Sequence, residues 1–303
     1  MEYPFGARRS GPSPKGSARH WMAVCTPAPS PEALGAVARE AASMEEPGWL
    51  ARAVSEGLGP MLYWRLTAAA EPVSPPEKIR RVFWKNFAAQ SLRSRHVGEV
   101  LGALASERVA AAPLGGTWLA EEVYPHAALR PHAHSEILVS PRELERAKQI
   151  LIGLGLSAAG GRPGKTSSLF LGADLAFVCR VHWALGTDDL PFAEAEELLA
   201  RSSQIEWREA WCFEIPAHLQ LALLLARLCA VRQGAARLLR LVDVPWTVAR
   251  FGLAALGRAL TAVAGFGWER PATAALASVQ EVLAWDPRAA ARQEAVPRRI
   301  GIG

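Results

Sequence analysis

"RPHAHSEILVS" (residues 130–140) is the stretch on which the fold turns. Its apolar end, Ile137 to Val139, is β-strand material, and His132, His134 and Glu136 precede or enter it at every second position. Alternate side chains of an extended chain share a face, so the three polar groups line up if the strand reaches back past Ala133. Ser140 and Pro141, with Glu143 behind them, then cap the helix "PRELERAKQILIGLG". A strand that feeds directly into a capped helix is the beginning of a small α/β unit.

Working outward, "APLGGTWLAEEVY" has a turn at Gly115 and Gly116 that opens a helix. "SSLFL" and "LAFVCRVHWAL" read as further strands, being aromatic and β-branched with alternation. Upstream the pattern is helical. "SPEALGAVAREAA" has Ser30 as N-cap and Pro31 at its first position. "GWLARAVSEGLGPMLYWRLTAA" gives two short helices punctuated at Gly59 and Pro60. A long helix begins from a capping box of Ser74 and Glu77, with Ile79, Phe83 and Phe87 on its buried face. Apolar helices return from about residue 192. The fold class is therefore α+β: a basic, disordered lead (1–20), a helical region (21–109), an α/β core (110–190), a second helical region (191–286) and a basic tail (287–303).

The formal charge of +5 hints at a polyanion until it is located. Arg8, Arg9, Lys15 and Arg19 sit in the lead, and Arg288, Arg292, Arg298 and Arg299 in the tail. The body between them is close to neutral, so the charge makes no overall case for nucleic-acid binding. Lys78, Arg81 and Lys85 alternate with Phe83, Trp84 and Phe87, which reads as a solvated basic face over an aromatic core stripe. The four cysteines lack any CxxC spacing and point to reduced thiols of a cytoplasmic protein. The most apolar run, "LQLALLLARLCAV", is broken by Arg227 well short of the ~20 residues that span a membrane. "AGGRPGKTS" carries Gly164, Lys165 and Thr166 in the slots of a phosphate loop, but strand-like residues follow it, so it reads as a hairpin connection.

Several of these stretches together resemble the uncharacterised bacterial nucleotidyltransferase family of the polymerase-β-like superfamily. Leu119 and Ala120, Tyr124 and Pro125, Arg130 and Pro131, Leu138 and Val139, and the helix after them match that family's pattern in order and spacing. "GLGPMLYWRL" (57–66), "VHWAL" (181–185) and "RLLRLVDV" (237–244) resemble its flanking segments, so the likeness covers roughly residues 45–265. The resemblance implies a minimal nucleotidyltransferase core. It also implies a nucleotide triphosphate with Mg²⁺ or Mn²⁺, two carboxylates on one strand and a third on its neighbour. Gly115, Gly116 and Thr117 would then lie at the phosphates.

At those positions the sequence departs from the family. The paired aspartates fall on His134 and Glu136, the third carboxylate on Arg180 or Val181, and the lysine of the glycine turn on Gly115. A guanidinium about 4 Å from a dication opposes it by about 8 kcal/mol at an effective dielectric near 20. Two expectations follow. One is a catalytically impaired nucleotidyltransferase-fold protein that binds a nucleotide or supports a partner enzyme. The other is an active enzyme moving a nucleoside monophosphate to a protein, peptide or small molecule, with Asp174 or Glu122 completing the site. His134 and Glu136, with His132 if it reaches, could alternatively hold Zn²⁺, Mn²⁺ or Fe²⁺. His182 reads as a packed strand histidine.

Overall fold

The computed structural model describes residues 20–43, 47–69, 72–159, 166–173, 177–187, 190–230 and 237–290. Helices α1 (His20–Val24), α2 (Pro31–Ser43), α3 (Leu50–Ser55) and α4 (Gly59–Thr67) lead into α5 (Glu77–Ser106), a helix of 30 residues. Ser30 caps α2 as expected, its hydroxyl accepting from Ala33 N–H at 3.1 Å. The start of α5 differs from the reading. No side chain caps it, because Pro76 is extended (φ −50°, ψ 137°) and the helix begins one residue later. Glu77 instead spends its carboxylate on Arg80 and Arg81.

The sheet contains β1 (Ala111–Pro113), β2 (Ser135–Val139), β3 (Ser157–Ala158), β4 (Ser167–Leu171) and β5 (Val178–His182), in the order β1-β2-β5-β4-β3. Strands β2 and β5 are parallel, and their crossover includes α7 (Leu144–Gly153); the other neighbours are antiparallel. Between β1 and β2 lie α6 (Gly115–Trp118), a π-helical turn (Leu119–Val123) and a 3-10 turn (Ala127–Leu129). Strands β3 and β4 pair antiparallel, so the Gly-Lys-Thr stretch joins a hairpin, although residues 160–165 lie outside the described ones.

Beyond the sheet come the hairpin β6 (Ala184–Thr187) and β7 (Leu190–Glu194), α8 (Ala195–Ala200), and a second hairpin of β8 (Ser203–Trp207) and β9 (Ala210–Glu214). This second ribbon falls where the sequence read as helical. Its strands alternate Ile205, Trp207, Ala210 and Cys212 onto the core below the sheet. Helices α9 (Ala217–Ala230), α10 (Arg237–Phe251), α11 (Leu253–Gly265), α12 (Glu269–Leu283) and α13 (Pro287–Ala290) complete the fold. No helix among the described residues is long and apolar enough to cross a membrane. Cys25, Cys179 and Cys212 are buried free thiols.

The two faces of the sheet meet different surroundings, and this sets up the site. Ile137 and Val139 of β2 and Cys179 and Val181 of β5 point into a core shared with α5 and α7. Leu138 points the other way, into the larger core that joins the N-terminal helices to α9–α12. Helix α5 serves both, contributing Ile79 and Phe83 to one and Val97, Val100, Leu101 and Leu104 to the other. Between these runs its buried stripe turns polar at Gln90 and Ser94.

Candidate functional site

Glu136 and His182 stand on the face of the sheet opposite Ile137 and Val181, and so does Arg180. In the parallel pair Glu136 is directly opposite Arg180, and Leu138 opposite His182. Of the two candidates for the third acidic position, Arg180 therefore faces the site. Val181 is buried on the other side. A cavity of about 630 Å³ opens over this face, within the range that holds a small organic ligand. Its wall comes from the β1–α6 turn, the segment before β2, the ends of β4 and β5, and helices α9 and α10.

Glu136 is at its centre. One carboxylate oxygen accepts from Gly116 N–H at 3.3 Å; the other lies 3.2 Å from His182 Nε2 and 3.3 Å from Arg227 Nη1. An ionised carboxylate only accepts, so the His182 proton sits on Nε2 and donates to it. Burial pushes the Glu136 carboxyl up, but Arg227, His134 and His182 overcome this and hold it well below its ordinary value. Burial drives His182 down, with Arg227 and Arg180 adding to the effect against the pull of Glu136. The site therefore contains a fixed anion and a neutral imidazole.

Because folding favours the ionised form of Glu136, its contribution to stability is present above the ordinary carboxylate value of 4.5 and is lost as pH falls through the lowered folded value. Urea unfolding of Glu136→Gln should accordingly give a shallower loss of stability below about pH 4.5 than the parent protein shows.

Both glycines have a steric reason. Gly115 has φ +50°, and a methyl group there would run into Glu136 Oε2. At Gly116 it would meet Arg130 Nη1 at 2.6 Å and His132 Cβ at 2.9 Å. Gly115→Ala should cost about 1–2 kcal/mol for the left-handed backbone alone, and more for the displaced carboxylate. Urea denaturation measures it; a loss under half a unit, about 0.5 kcal/mol, would mean that the turn relaxes freely.

Other expected site residues are distributed differently. Thr117 is buried, and its hydroxyl accepts from Glu136 N–H at 2.8 Å, so it fixes β2 against the turn. The strand begins at Ser135, leaving His132 and His134 in the irregular lead-in. His134 Nε2 is 3.8 Å from Glu136 Oε1. His132 turns towards α5, where its Nδ1 is 2.8 Å from Gln90 Nε2. Gln90 Oε1 is taken by Arg93, so the amide nitrogen donates and His132 carries its proton on Nε2. Burial, with Arg130 and Arg93 nearby, depresses His132 to about 3. Glu122 does not reach the cavity. It is pushed up by burial and by Glu214 and Glu121. Asp174 lies outside the described residues. Among the described residues, no group of three or more His, Cys, Asp or Glu side chains is placed to hold a metal ion.

What the sequence reading missed is cationic. Arg227, noted only as interrupting an apolar run, projects from α9 to Glu136. Arg240 of α10 also lines the cavity and has no hydrogen-bond or ion-pair partner among the described residues. Burial and the charge of Arg130 lower it. Arg180 Nε is buried without a hydrogen-bond partner. Arg130 is satisfied: it forks onto Asp243 of α10 at 3.1 and 2.7 Å, and the Tyr124 hydroxyl donates to the same carboxylate at 2.7 Å. Two segments far apart in the chain, Tyr124 to Arg130 and the helix that carries Asp243, thus meet in one buried cluster beneath the cavity.

These segments belong to a pattern with a name. Residues 43–284, most of the chain, match the profile of a family described as uncharacterised nucleotidyltransferase. The chain belongs to that family. Two solved structures resemble it. The solution structure of the antibiotic-resistance factor ANT(2″)-Ia has a TM-score of 0.45 and 9% identity, covering 63% of this chain and 97% of that one. The crystal structure of ANT(2″)-Ia in complex with adenylyl-2″-tobramycin has a TM-score of 0.38 and 13% identity, covering 61% and 98%. Among curated proteins no relative matches.

Proposed function

We propose that this family member binds a nucleotide and that its metal-dependent transfer chemistry is impaired, so that it acts through the bound state or by supporting a partner enzyme. The observation that carries this reading is the register of Glu136 against Arg180. Where the family resemblance calls for carboxylates around a dication, a guanidinium stands opposite Glu136, the carboxylate among the described lining residues. Both oxygens of that carboxylate already accept N–H hydrogen bonds.

Magnesium is held by one or two carboxylates together with water and phosphate oxygens, and Glu136, the carboxylate among the described lining residues, already has both oxygens engaged by N–H donors. The imidazoles of His182 and His132 fit a transition metal no better. His182 directs its N–H at Glu136, and the His132 Nδ1 lone pair is taken by Gln90. What the residues can do is hold and orient an anionic ligand, with Glu136 ionised and His132 and His182 neutral at pH 7.

Calorimetric titration with the four nucleoside triphosphates, in EDTA, in Mg²⁺ and in Mn²⁺, tests the reading. Binding of at least one nucleotide with no pyrophosphate release is the expected result. Failure of all four in every condition would overturn nucleotide binding. Metal-dependent pyrophosphate release abolished by Glu136→Ala would instead establish the active enzyme.

A further inference from the structure

We infer that the cavity takes the polyphosphate chain of its ligand without a divalent cation, with Arg180, Arg227 and Arg240 in the place of the metals. This rests on the nucleotide reading for the identity of the ligand but not for its charge. Arg130, Arg180, Arg227 and Arg240 all line the cavity, against Glu136 as the carboxylate among its described lining residues. Asp243 answers Arg130. Arg227 has Glu136, but at 3.3 Å and with 31% of its side chain still exposed. Arg240 makes no hydrogen bond or ion pair among the described residues and feels Asp243 and Glu136 only at longer range, and Arg180 keeps a buried N–H without an acceptor.

Each guanidinium offers several donors in a rigid plane, the geometry that suits phosphate oxygens, and unspent donors in a concave site are a standing electrostatic cost that an anion relieves. Glu136 already occupies one such position. Its carboxylate accepts from a backbone N–H, an imidazole N–H and a guanidinium, a donor set that would serve a phosphate oxygen equally well. Magnesium on the ligand would cancel part of the charge that these arginines recognise and would be repelled by them. Metal should therefore weaken binding.

The probe is inorganic tripolyphosphate, titrated calorimetrically into the full-length protein in EDTA and then with excess Mg²⁺. The expected result is binding in EDTA that Mg²⁺ weakens, and a loss of about tenfold or more in both Arg180→Ala and Arg240→Ala. The exposed Lys85→Ala should leave it unchanged. Arg180→Lys keeps the charge but not the fork and should fall between. Binding only with Mg²⁺ would overturn the inference, as would binding in EDTA indifferent to both arginine exchanges. The two readings separate cleanly. Nucleoside triphosphates that bind with Mg²⁺ while tripolyphosphate fails without it would leave the nucleotide reading standing alone. Tripolyphosphate that binds in EDTA while no nucleotide binds more tightly would leave only the metal-free anion site.

Discussion

Asp243→Ala is expected to lower stability by about 3–5 kcal/mol, the range for removing one partner of a buried ion pair. Asp243 has no exposed surface and Arg130 is 7% exposed, so alanine would leave a guanidinium in the interior without its counter-charge. The Tyr124 hydroxyl would lose its acceptor at the same time. The cost is in the orphaned charge rather than in a strongly favourable pair, so Arg130→Met with Asp243→Leu should recover most of it. Urea unfolding of the three proteins decides the matter. A single-variant loss below about 1 kcal/mol would show that the cluster does not hold α10 to the segment before β2.

Glu136→Ala should tighten metal-free tripolyphosphate by about ten- to a hundredfold. A unit charge about 5 Å from a bound phosphate, at an effective dielectric near 20, opposes it by about 3 kcal/mol. Removing the carboxylate also frees Gly116 N–H and Arg227 to reach the ligand. In a two-metal enzyme the same exchange would destroy binding by removing a metal ligand, so the two accounts predict opposite signs. Titration of both proteins in EDTA and again in excess Mg²⁺ gives the answer. Weaker binding in the variant would place Glu136 on the ligand's side.

The parts of this fold legible in sequence were those with local causes. Period-two alternation and a serine cap gave β2 and the helix after it, and Ser30 marked the start of α2. Glu136 and the glycine turn were legible because spacing on one strand and one loop is local. The β8–β9 ribbon was not, because its alternating apolar residues are few and adjoin an apolar helix.

The cationic wall was missed for a different reason. Arg227, Arg240 and Asp243 sit on helices more than 90 residues from Glu136 or Arg130, and only packing brings them together. A signal was present all the same. Gln90 and Ser94 lie in phase with Ile79 and Phe83 on the buried stripe of α5, and Arg227 and Gln220 interrupt an apolar helix. A polar residue at a core position needs a buried partner, and here the partners are His132, Glu121, Glu136 and Pro113 O. His182 was read as a packed strand histidine. It is packed, but on the cavity face, because its register with Leu138 could not be known before the strands were paired.

The most direct measurement is the affinity for the best-binding nucleoside triphosphate as free Mg²⁺ is raised from zero, in EDTA, to saturating. Binding is expected to be strongest without the metal and to decline as magnesium loads the phosphates. Affinity that rises with Mg²⁺, and collapses in Glu136→Ala, would contradict it and restore the metal-dependent transferase.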